Sequence, residues 1–134
     1  MSKKTFIVFG LLVVFLAVLI PWLAFRADGD AANAKPVPGN LKAGQSLFET
    51  NCGTCHTLYA AGTDGNFGPD LDQLLAPSGP PEGPDAQQTL EGRVLNAIDK
   101  GVDGGATGRM PGGILNEEQS EEVAAFVAAT AGEG

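Results

Sequence analysis

Histidine occurs once in these 134 residues, cysteine twice, methionine twice, tryptophan once and tyrosine once. A structural zinc site asks for four Cys or His ligands, and only three such residues exist in the whole chain. Aromatic residues are also thin where a folded domain would need them. From Asn40 onward they are Phe48, Tyr59, Phe67 and Phe126, too few to build a generous apolar interior unaided. Bases are scarce as well: all sixteen acids lie after Phe25, against six bases there, for a net side-chain charge of −10 in that part. Such a surface excludes nucleic-acid binding and is repelled by anionic lipid, and its main effect is solubility.

What the chain does have is concentrated. Both cysteines and the one histidine fall in Cys52-Gly53-Thr54-Cys55-His56, the C-x-x-C-H signature of c-type haem attachment. Two thiols three apart on a helical turn share one face, where both can add to the vinyl groups of one haem. His56, the next residue, then faces the iron, for which neutral imidazole is a good ligand. A thioredoxin-like pair would need a βαβ setting that the glycine-rich flanks lack. A plain disulfide leaves the histidine unexplained. One covalent haem c is the expected cofactor, and its porphyrin supplies the apolar surface that the aromatics do not.

Three regions follow along the chain. Phe6 to Phe25 is uncharged and at helical rise spans ~30 Å, the thickness of a bilayer core, so residues 1–26 are expected to form a single transmembrane anchor. Lys3 and Lys4 on one side and Asp28 and Asp30 on the other orient it with the N-terminus cytoplasmic and the remainder on the outer face of the cytoplasmic membrane. A signal peptide cleaved at Ala32-Asn33-Ala34 is the competing reading, disfavoured by the length of the apolar run. Residues 27–39, small, polar and proline-bearing, are expected to be a flexible linker. Residues 40–134 are expected to be the haem domain.

Within that domain the pattern is helical throughout, with no strand-like alternation. Asn40 is expected to cap a first helix running into the haem motif, with Leu41, Gly44, Leu47 and Phe48 at three-and-four spacing. Residues 57–72 are rich in turn formers and read as loop. Residues 76–85 carry four of the nine prolines and are expected to be a non-helical surface insertion. A second helix is expected from Gln87 or Thr89 to Lys100, with Leu90, Val94, Leu95 and Ile98 on one face and Gly101 as its stop. Asn116-Glu117-Glu118-Gln119 has the form of a capping box, opening a last helix to about Thr130 with Val123, Phe126 and Val127 buried.

What fills the sixth site of the iron decides between electron transfer and chemistry. Met110 is the candidate. Apart from the initiator it is the only methionine, and it lies in Gly108-Arg109-Met110-Pro111-Gly112, where core filler would not be expected. Arg109 beside it reads first as an ordinary exposed arginine, with neutralisation of a haem propionate or a partner carboxylate as the alternative.

With CGTCH, FGPDL, AIDKG and GRMPGG in hand, the chain resembles class I monohaem c-type cytochromes of the small, membrane-anchored bacterial kind over roughly Asn40 to Ala129. The resemblance implies an all-α domain of three to four helices around one covalent haem. It implies that Gly44 and Phe48 cross the last helix at Phe126. It further implies that Pro69 accepts a hydrogen bond from the ligand histidine, that Leu71 lies against the ring, and that Met110 is the sixth ligand. The prolines at 76–85 and the negative charge depart from the family pattern. The function expected is a non-enzymatic one-electron carrier, tethered to the membrane, between respiratory or photosynthetic complexes. The alternatives are a fixed subunit of such a complex, and a haem peroxidase or gas sensor with a labile Met110.

Overall fold

In the computed structural model, residues 3–26, 35–104 and 108–134 are described, the side chains of 3–6 and 24–26 excepted. Five α-helices run in chain order among them: α1 (Lys3–Arg26), α2 (Lys42–Asn51), α3 (Leu71–Leu75), α4 (Pro84–Lys100) and α5 (Glu117–Thr130). Two antiparallel pairs of two-residue strands were not anticipated. β1 (Thr57–Leu58) pairs with β2 (Thr63–Asp64), and β3 (Val102–Asp103) with β4 (Arg109–Met110). Neither pair is long enough to show alternation in sequence, and the first lies inside residues 57–72, which read as loop.

Helix α1 carries the uncharged run, and its described large apolar side chains are exposed, from 41% at Leu16 to 66% at Leu11 and Val18, with only Leu19 among them less so. Among the described residues no helix is long and apolar enough to cross a membrane, so the transmembrane anchor expected over 1–26 is not supported. The cleavage site at Ala32-Asn33-Ala34 lies outside the described residues, as does the expected linker up to residue 34. The linker's last residues belong to the domain instead: Val37 is buried in the core and Lys35 pairs with Glu133 at 3.5 Å.

Helix α5 is the axis of the domain and packs against both α2 and α4. It buries Val123, Ala124, Phe126, Val127 and Ala128, so its apolar face is broader than the three-residue stripe anticipated. The small alanines let the neighbouring helices approach. Closest is α2, where a Cβ built on Gly44 would meet the Glu122 carbonyl oxygen and stand 2.8 Å from Cβ of Phe126. One turn on, Phe48 and Phe126 meet edge to face with ring centroids 6.1 Å apart, a favoured aromatic geometry. Both rings are buried, as are Leu58, Leu90 and Ile98.

The helix ends follow backbone chemistry. Asn116 Oδ1 accepts from the Gln119 amide at 2.9 Å while Gln119 Oε1 accepts from the Asn116 amide at 3.2 Å, the reciprocal box expected for α5. Asn40 does not cap α2. It sits inside a 3-10 turn, Gly39–Leu41, and the helix begins without a side-chain cap. Helix α4 starts at Pro84, inside the stretch expected to be non-helical. Proline at the first helical position loses nothing, because that N–H has no intrahelical acceptor in any case.

Candidate haem site

The C-x-x-C-H stretch follows α2 as a continuation of its turn geometry. Amides of Cys55 and His56 both donate to the Cys52 carbonyl, at 3.0 and 2.9 Å, which gives the three-residue offset between the thiols a helical form. The two cysteines form no disulfide with each other; Cys52 is buried and Cys55 exposed. Burial, with a smaller contribution from neighbouring Cys55, pushes the Cys52 thiol up to about 11.

The loop after His56 folds back to hold it. Thr63 Oγ1 donates to the His56 carbonyl at 3.0 Å and accepts from the Leu58 amide at 3.1 Å. Thr57 Oγ1 donates to the Gly65 carbonyl at 3.0 Å, and the Gly68 amide donates to the Cys55 carbonyl at 2.7 Å. The imidazole is then fixed from two sides. Its Nδ1 lies 2.9 Å from the Pro69 carbonyl oxygen. Because a carbonyl only accepts, Nδ1 carries a proton, and in the neutral ring that leaves the Nε2 lone pair for a metal. Gly68 lies against the ring, where an added Cβ would stand 2.6 Å from Cε1 and 2.8 Å from Nδ1. His56 is 9% exposed.

Of the remaining sequence candidates, Leu71 opens α3 and packs, partly buried, on the core, and Met110 does the same from β4. Met110 pairs with Val102 across the short hairpin. Its loop is pinned to the end of α4: Gly101 has φ +72° and lies so close that a Cβ there would be 2.5 Å from the Met110 carbonyl oxygen. The Gly113 amide donates to the Ile98 carbonyl at 2.8 Å. Arg109 is exposed.

One buried polar residue had no sequence signal. Asp72, 5% exposed, sits in the first turn of α3, where an acid ordinarily reads as a dipole partner. Instead Oδ2 accepts from the Tyr59 amide at 2.8 Å and Oδ1 from the Gly132 amide at 2.7 Å. Neighbouring Asp70 is the true cap, its Oδ1 accepting from the Asp72 and Gln73 amides.

The donor set fits a covalent haem. Two thiols on one turn flank a histidine whose outer nitrogen is satisfied and whose ring is seated against a glycine with no room for a side chain. Among the described residues no group of three or more His, Cys, Asp and Glu could hold a bare metal ion. Two open clefts, about 240 and 340 Å³, are lined by residues such as Lys35, Val37 and Leu41 and involve neither cysteine, His56 nor Met110.

Comparison with known proteins agrees with this chemistry. A solved structure described as the c-type cytochrome SorU from Sinorhizobium meliloti is 32% identical, with a TM-score of 0.52, over 69% of this chain and 92% of that one. The family model described as cytochrome c matches residues 41–131, which span the motif, α2 to α5 and the Met110 loop. The chain belongs to the cytochrome c family, whose covalent haem serves electron transfer.

Proposed function

We propose that the protein is a membrane-tethered one-electron carrier in which His56 and Met110 would ligate the iron of one haem c joined to Cys52 and Cys55. The observation that carries this reading is the 2.9 Å contact between His56 Nδ1 and the Pro69 carbonyl. It assigns the ring proton to the side away from the metal and raises the basicity of the coordinating nitrogen. When bound, the haem supplies a one-electron iron couple whose potential is raised by His/Met ligation relative to two nitrogen ligands. Met110, held by a hairpin and by Gly101, would keep oxygen and substrates from the sixth position. The chain's one histidine is used as ligand, so no second imidazole remains as a distal acid–base group for peroxide chemistry.

Tethering belongs to the same proposal. This part of the proposal rests on the sequence, the uncharged run from Phe6 to Phe25 with lysines before it and acids after it, and on the exposed apolar side chains of α1; it places an anchor in the cytoplasmic membrane and the acidic domain on its outer face, although no helix among the described residues is by itself long and apolar enough to cross a membrane. Redox complexes in that membrane would be donor and acceptor, met at a raised effective concentration, so weak docking suffices.

An absorption spectrum tests the ligand set. The oxidised protein should show the weak far-red band of methionine sulfur on iron, and Met110→Ala should abolish it. A wild type without that band, binding carbon monoxide readily, would favour the sensor reading. For the anchor, deleting residues 1–34 should move the haem domain to the soluble fraction and slow electron delivery in intact membranes. Comigration of the full chain with a larger complex in mild detergent would identify a fixed subunit.

A further inference from the structure

We infer that Asp72 is the positioning residue for the His56 imidazole, acting through Pro69. The inference rests on the reading of His56 as the iron ligand and adds what holds that ligand's orientation.

Two cross-links close the same loop in the same register. His56 meets Pro69 across a separation of 13 residues, and Tyr59 meets Asp72 across a separation of 13 as well. Each end of the second link therefore lies three residues beyond the corresponding end of the first. Three residues span at most ~10 Å of chain, and the span from Pro69 to Asp72 is further stiffened by Asp70, whose Oδ1 accepts from the Asp72 amide at 2.9 Å. A shift of Asp72 against Tyr59 thus moves the Pro69 carbonyl along the imidazole with little slack to absorb it.

The second carboxylate oxygen gives the clasp a fixed reference. Oδ1 accepts from the Gly132 amide at 2.7 Å, across 60 residues of sequence, and Gly132 lies just beyond α5, the axis of the core. The loop bearing Pro69 is registered on the rigid part of the domain through one side chain. Removing a carboxylate from water is costly unless it is well satisfied. Here the satisfaction comes from two backbone amides at short, charge-assisted distances. Asparagine has one acceptor oxygen where this place needs two. Glutamate keeps the charge but displaces it by a methylene.

Weakening the Pro69 contact would lower the basicity of the imidazole and favour reduced iron, so the midpoint potential should rise. Loss of a negative charge raises the potential too, so the two causes must be separated. In the purified holoprotein, Asp72→Asn and Asp72→Glu should both raise the midpoint. Both should also speed solvent exchange of the His56 Nδ1 proton by about tenfold relative to the Ile98 amide, the equivalent of about one hydrogen bond. A shifted midpoint in Asp72→Asn but not in Asp72→Glu would overturn the inference in favour of bare charge. Lower melting temperature with unchanged midpoint and unchanged proton exchange would overturn it in favour of a structural staple. Should neither variant fold, wild-type exchange decides. The Nδ1 proton and the Tyr59 and Gly132 amides must open with one common rate, and independent opening sinks the proposal. Paramagnetic shifts on the His56 ring nitrogens check the ligand reading separately, and their absence would overturn that reading whatever the exchange rates show.

Discussion

Gly44 of α2 and Phe126 of α5 stand so close that a Cβ on the glycine would be 2.8 Å from the Cβ of the phenylalanine, with the Glu122 carbonyl oxygen closer still. Backbone on both sides leaves nothing flexible to move aside. Gly44→Ala must therefore separate the two helices and loosen the edge-to-face pair of Phe48 and Phe126. The expected loss is about 3 kcal/mol, the upper part of the range for overpacked cores, read as a shift in the midpoint of denaturant unfolding of the holoprotein. A loss below about 1 kcal/mol would mean that the crossing is not tightly packed.

Gly101 carries a second close approach, and its consequence is spectroscopic. At φ +72° and ψ 176° it occupies a backbone region open essentially only to glycine, which costs another residue about 1–3 kcal/mol, and its Cβ would collide with the carbonyl of Met110 and the amide of Gly112. Gly101→Ala is expected to displace the methionine loop and diminish the far-red sulfur–iron band while the haem stays attached. An undiminished band in a folded Gly101→Ala protein would show that Met110 is held by the hairpin alone.

The pattern of what sequence could convey is physical. The cluster of Cys52, Cys55 and His56 is legible because its spacing is local, and the Asn116–Gln119 box because a cap is written within four residues. Gly101 was legible as a helix stop, but its pressure on Met110 depends on how the chain returns nine residues later. Pro84 misled because proline ends helices and also begins them, and only the neighbouring Gly83 at φ +88° shows which. Val37 read as linker because one apolar residue among prolines has no periodicity. Asp72 was silent altogether, since its partners at Tyr59 and Gly132 are set by tertiary structure and nothing local distinguishes a buried acid from a helix-dipole acid.

Gly68 extends the same reasoning to the ligand itself. Gly68→Ala places a methyl 2.6 Å from Cε1 of His56, so the imidazole must rotate away from the Pro69 carbonyl. An off-rotamer displacement of this kind costs about 1 kcal/mol. The midpoint potential should rise as the Nδ1 contact weakens, and a titration that leaves it unchanged would mean that the ring tolerates the methyl by moving as a unit with its loop.

The thiols give a prediction with a definite pH window in the chain before haem is joined. Burial raises Cys52 from 9.0 to about 11, so the folded chain keeps its proton where the unfolded chain releases it. That preference contributes stability fully below pH 9 and loses it as pH climbs through 9 to 11. At pH 8 the thiolate fraction of Cys52 is about a hundredfold lower in the folded chain than in urea, so alkylation of Cys52 should be slowed by up to that factor, and exposed Cys55 should be modified first. Mass spectrometry of partly alkylated chain, with and without urea, measures both. Equal rates at the two cysteines in native buffer would mean that the Cys52 pocket is completed only when haem is attached, which would make the covalent bond a cause of the local fold and not merely its product.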